Sequence, residues 1–104
     1  MKQEHNKLVR DKIPNIIVDN GETPIYHQLK DDNEYLECLF DKDLEEGSEL
    51  RSVPNLEELV DKLEVLYAIG EVLGYSKEQI EDARKKKATE RGSFKLRIFL
   101  EKTF

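Results

Sequence analysis

A single cysteine, Cys38, leaves the chain without any internal disulfide, and it reads as a packed thiol rather than part of a catalytic dyad. No segment approaches the roughly 18 consecutive apolar residues of a membrane span, so no membrane association is expected. The N-terminus lacks a basic region followed by the apolar stretch of a signal peptide, which leads to the expectation of a soluble, cytoplasmic protein. Basic residues are outnumbered, 17 against 23 acidic ones, for a formal charge of -6. That balance excludes a sequence-wide basic surface, and nucleic acid is not expected as a partner. There is no G-x-x-x-x-G-K-[ST] loop, so phosphate would not be held in the P-loop manner. His5 and His27 have no cysteine or second histidine at ligand spacing, which argues against zinc and leaves them as surface or strand histidines. Repeats, low-complexity tracts and linkers are likewise missing. The 104 residues suffice for one domain, spanning 1–104, and are too few for two. An extended active site on so short a chain needs a second copy, so a homo-oligomer, dimer or tetramer, is expected.

What is present is mainly helical patterning. Lys7 to Asn20 places Pro14 near the start of a short helix, with Ile13, Ile16 and Ile17 on one side and Asn20-Gly21 as the stop. Asp31 or Asp32 caps a second helix running to about Leu50. Val53-Pro54-Asn55 interrupts the pattern before a third helix from about Leu56 to Leu73, closed by Gly74. The short connection predicts that these two helices pack antiparallel. Ser76, with Glu78 and Gln79 downstream, opens a fourth helix that ends at Gly92. Thr23 to Leu29 and the alternating tail Phe94 to Phe104 read as strands, each the other's natural mate. The expectation is therefore a mainly α fold, a helical bundle completed by oligomerisation, with a small two-stranded β element.

Two pairs of carboxylates, Glu46/Glu49 and Glu58/Asp61, stand out against this pattern. At about 100° per residue, Tyr35, Leu36, Leu39, Phe40 and Leu50 define an apolar arc on the second helix, with Glu46 inside it and Glu49 at its edge. The third helix carries a main apolar arc of Leu56, Leu59, Leu63, Leu66, Tyr67 and Leu73, and a second one of Val65, Ala68 and Val72. Glu58 and Asp61 lie on the second arc. Acids there are costly to bury unless something positive binds them, and a hard divalent cation is the natural candidate. Glu58 also follows Asn55 by three residues and so can serve as the reciprocal partner of a capping box. Glu57, Glu64 and Glu71 recur every seven residues as a stripe that reads as solvated.

Three motifs in order extend the reading. Glu45-Glu46-Gly47-Ser48-Glu49 followed by Glu58-Leu59-Val60-Asp61 resembles the E-E-x-x-E…E-x-x-D pattern of the MazG-like, all-α nucleoside triphosphate pyrophosphohydrolases, of the small house-cleaning type related to phosphoribosyl-ATP pyrophosphohydrolase. Asn6 to Pro14 (NKLVRDKIP) is similar to the N-terminal signature of that subgroup, and Lys87 to Phe94 (KATERGSF) to its C-terminal one. The resemblance implies that Glu46, Glu49, Glu58 and Asp61 hold Mg²⁺, with Mn²⁺ as an alternative. The implied reaction cleaves the α–β phosphoanhydride of a nucleotide substrate, giving a nucleoside monophosphate and pyrophosphate. A metal would orient the phosphates and lower the pKa of a bound water, while Lys7, Arg10, Lys12, Lys87 and Arg91 are the cations available to the phosphates. Glu45 is the candidate to activate that water. Gly47-Ser48 departs from the pattern, which usually has an apolar helix former there; a glycine costs about 1 kcal/mol of helix stability. The competing reading is a catalytically silent helical oligomerisation or nucleotide-binding module that keeps the acids for packing or sensing.

Overall fold

A computed structural model describes residues 2–104. Four helices follow in order: α1 (Ile13–Asp19), α2 (Asp32–Ser52), α3 (Leu56–Val72) and α4 (Lys77–Arg91). Their starts are chemical. Asp31 accepts the Glu34 amide, Asn55 accepts the Glu58 amide at 2.9 Å, and Ser76 and Gln79 close a full capping box at the head of α4. α3 stops where Gly74 turns left-handed at φ 92°, bringing the Tyr75 amide back to the Gly70 carbonyl at 2.8 Å and the Gly74 amide to Glu71. No helix of the described residues is long and apolar enough to cross a membrane.

The chain is built around the α2·α3 hairpin, with α4 packed on α3. Opposed residues give the direction of the pair: Asp43 meets Lys62, and Glu46 meets Glu58 and Asp61, so one index falls as the other rises. The helices are antiparallel, as the three-residue break at Val53–Asn55 requires. Between α3 and α4 the backbones approach closely at Gly70, where an added Cβ would fall 2.5 Å from Ile80 Cδ1.

Periodicity marks two apolar arcs on α3, and the packing selects one of them to face α2. Val65, with Ala68 and Val72 beside it, turns toward α2 together with Glu58 and Asp61. The leucine-rich arc points away: Leu56, Leu59, Leu63, Leu66 and Leu73 are all exposed. Among the described residues only Leu39 and Val65 are buried apolar side chains. Neither Thr23–Leu29 nor Phe94–Phe104 forms a strand among the described residues, and the expected two-stranded element is not formed. The tail instead turns at Phe94–Arg97 and leaves Phe94, Leu96, Ile98, Phe99, Leu100 and Phe104 in solvent. A lone two-stranded ladder is marginal in water, and nothing among the described residues covers these side chains.

Candidate metal centre

Glu46 is the one charged residue of the described chain that is buried, at 7% exposure, alongside Leu39 and Val65. It occupies that position because α2 presents it about two turns beyond Leu39, on the same face toward α3. From α3, Glu58 and Asp61 converge on it, and one carboxylate oxygen from each of the three lies within 4.8 Å of the others. Glu49 stays on the exposed rim, where its charge acts on Glu58.

Such a cluster is electrostatically incomplete. Glu46 Oε2 and Glu58 Oε2 are both shut off from solvent with no hydrogen-bond partner. Desolvation, then the charges of Glu49, Asp61 and Glu46, holds the Glu58 carboxyl above the usual glutamate range. Lys42 gives partial relief at 3.3 Å from Glu46 and 3.4 Å from Glu45. An all-oxygen set of converging carboxylates with two unfilled acceptor positions fits a hard cation, and it does not fit a soft one. The capping-box alternative for Glu58 is not realised: its amide is bound by Asn55, while its Oε2 turns inward without a partner.

Residues 7–11 run along one flank of this cluster. Lys7 binds Glu45 at 2.9 Å and Arg10 binds Asp61 at 2.7 Å, although 38 and 51 positions separate the partners. The hydrogen bond from Lys7 holds the Glu45 carboxyl below its ordinary range and raises the Lys7 ammonium in return. Asp11 continues past Arg10 toward Tyr35, whose hydroxyl is pushed up by burial and by the charges of Glu71 and Asp11. Of the other cations with an expected substrate role, Lys12 stands at the start of α1 and Lys87 and Arg91 near the end of α4, all exposed. None of the three joins an ion pair with the cluster among the described residues.

On the opposite flank Lys62 crosses from α3 to α2, donating to Asp43 Oδ1 at 2.6 Å and to the Asp43 carbonyl at 3.2 Å. Its path runs over Gly47. A Cβ there would lie 3.3 Å from Lys62 Nζ and 3.9 Å from Cε, so the glycine in the first acidic motif makes room for a cross-helix clamp. Lys62, Lys42 and Asp43 were not singled out from the sequence. Lys42 could have been found from its i,i+4 spacing to Glu46, whereas the Lys62 clamp is visible only once the hairpin register is known. Gly47→Leu should cost about 1–3 kcal/mol, as overpacking does, and clearly less in a Lys62→Ala background. A denaturant double-mutant cycle measures this, and an equal cost in both backgrounds would rule out the clamp as the reason for the glycine.

The chain was compared with protein-family models, with curated proteins and with solved structures, and none of them matches it.

Proposed function

We propose that the chain is a Mg²⁺-dependent nucleoside triphosphate pyrophosphohydrolase of the MazG-like type, releasing pyrophosphate and a nucleoside monophosphate. The observation that carries this reading is the pair of buried, unpartnered carboxylate oxygens of Glu46 and Glu58, in a cluster where Glu46, Glu58 and Asp61 converge across the hairpin. Glu46, Glu58 and Asp61, with Glu49 at the rim, would hold the ion. When bound, Mg²⁺ would supply charge neutralisation at the phosphates and a more acidic water.

The chain's own groups account for the rest. Arg10 and Lys7 already lie against acids at the mouth of the cluster, so incoming phosphate oxygens exchange one anionic partner for another without costly desolvation. Glu45, kept ionised between Lys7 and Lys42, is the group this reading assigns to taking the proton of the attacking water.

Assembly belongs to the same proposal. The single chain exposes 10004 Å², whereas a compact monomer of 12.2 kDa exposes about 6,000 Å². Its radius of gyration is 17.9 Å against about 13 Å for a compact chain of this length. A homo-oligomer that covers the outward arc of α3 accounts for both.

The test is pyrophosphate release from a nucleotide panel with and without Mg²⁺, together with melting curves at millimolar metal. Metal-dependent release and a raised Tm are expected, because an ion that binds only the folded cluster stabilises it. An unchanged Tm with no release would sink the metal reading. A raised Tm with no release on any nucleotide would favour the silent module.

A further inference from the structure

Beyond the acidic cluster, the same side of the hairpin opens into a second feature. A cleft of about 390 Å³ lies between α3 and the start of α4, walled by Tyr67, Tyr75, Glu64 and Glu71, with Ser76 and Lys77 at its end. It shares Ala68 and Glu71 with an adjoining hollow of about 310 Å³ that reaches Tyr35 and Asp32 on α2. Three of the chain's four tyrosines therefore line these two neighbouring hollows, which meet at Ala68 and Glu71 and are together called the trough below. The Lys77 ammonium sits 5.1 Å from the centre of the Tyr67 ring. Glu64 and Glu71 are exposed, as expected of their stripe, yet both serve as walls of this trough.

The trough also lies in a definite place. Ala68 follows Asp61 by seven residues on one face of α3, two turns away, a rise of about 10 Å. Residues 7–11 trace the same flank, with Arg10 on Asp61 and Asp11 near Tyr35. A ligand with phosphates at the acidic cluster and Arg10 would extend its other end toward the tyrosines.

We propose that the Tyr35–Tyr67–Tyr75 trough is a nucleobase subsite selective for a base with two adjacent N–H donors, the guanine type of edge, read by Glu71. The inference rests on the pyrophosphohydrolase reading for its ligand class. Aromatic walls take the flat face of any base, so stacking alone does not discriminate. The carboxylates do, because an ionised carboxylate only accepts hydrogen bonds and rewards two parallel donors with a bidentate pair. Guanine offers N1–H beside its 2-amino group. Adenine and cytosine each pair one donor with an acceptor that the second carboxylate oxygen repels, and uracil flanks its one N–H with two carbonyls.

Binding without turnover tests this separately from catalysis. Guanosine, inosine and uridine 5′-monophosphates, which the proposed reaction does not cleave, would be titrated into the protein with Mg²⁺ present while the tyrosine ring signals are followed by NMR, with Tyr26, outside the trough, as internal control. Guanosine monophosphate should shift the Tyr35, Tyr67 and Tyr75 signals and leave Tyr26 unmoved. Inosine monophosphate, which lacks the 2-amino group, should bind about tenfold more weakly, and Glu71→Gln should erase that difference. Tyr75→Leu should weaken binding of all three together; it replaces an exposed side chain, and folding is checked by circular dichroism. Equal affinity for the three nucleotides, or shifts that spare the trough tyrosines, would overturn the subsite even if metal-dependent turnover is observed.

Discussion

Replacing Glu46 by glutamine or Asp61 by asparagine is expected to remove most metal-dependent pyrophosphate release, about 3 kcal/mol or more of transition-state stabilisation and so roughly 100-fold or more in rate. Each change keeps the shape of the side chain and deletes a charge that would hold the ion. The two should part company in stability. Glu46 is buried with one oxygen unpartnered; the glutamine oxygen can still accept from Lys42 while its amide donates to Glu58 or Asp61, so metal-free E46Q should be more stable than the parent. Asp61→Asn relieves the same repulsion but gives up the Arg10 pair, which is largely exposed and worth at most about 1 kcal/mol. Its net change in stability should be small. Glu57→Gln is the control, since Glu57 is exposed in the first turn of α3 and lies off the cluster and the tyrosine trough. Its turnover should stay near that of the parent. If Glu57→Gln were as damaging as Asp61→Asn, the assignment of faces on α3 would be wrong.

The features that such variants probe were legible in the sequence to different depths. Helix ends were readable because each depends on a local cap: Asp31, Asn55 and Ser76 bond amides three residues away, and Gly74 supplies the one backbone conformation that closes α3. The inward position of Glu46 followed from its place among Tyr35, Leu36 and Leu39 on one arc. The facing side of α3 was not legible, because periodicity marks two apolar arcs without saying which has a partner in the same chain. The leucine-rich arc has the stronger apolar signal, yet the smaller residues Val65 and Ala68, with Glu58 and Asp61, face α2. Tertiary pairs across long separations, Arg10 with Asp61 and Lys62 with Asp43, carry no local signature at all. The alternation in Phe94–Phe104 is a real pattern that finds no partner strand among the described residues.

The outward arc of α3 leads to the second large effect. Leu63→Glu and Leu66→Glu should each drive the assembled protein toward single chains. Both leucines are already 42% and 45% exposed in one chain, so within a monomer a glutamate there costs little beyond helix propensity. Within an oligomer the same substitution loses a buried leucine, about 2 kcal/mol or more, and adds the expense of burying an unpaired carboxylate. The dissociation constant should therefore rise at least roughly thirtyfold. Val18→Glu on α1, somewhat more exposed and off the arc, should leave assembly unchanged. Light scattering at micromolar concentration reads the mass, and unfolding midpoints at several protein concentrations read the linkage between assembly and stability. The parent should melt higher at higher concentration, and Leu63→Glu should remove that dependence. A parent chain that scatters as a stable monomer, or a Leu63→Glu variant of unchanged mass, would mean that the leucine arc is not where this chain finds its missing core.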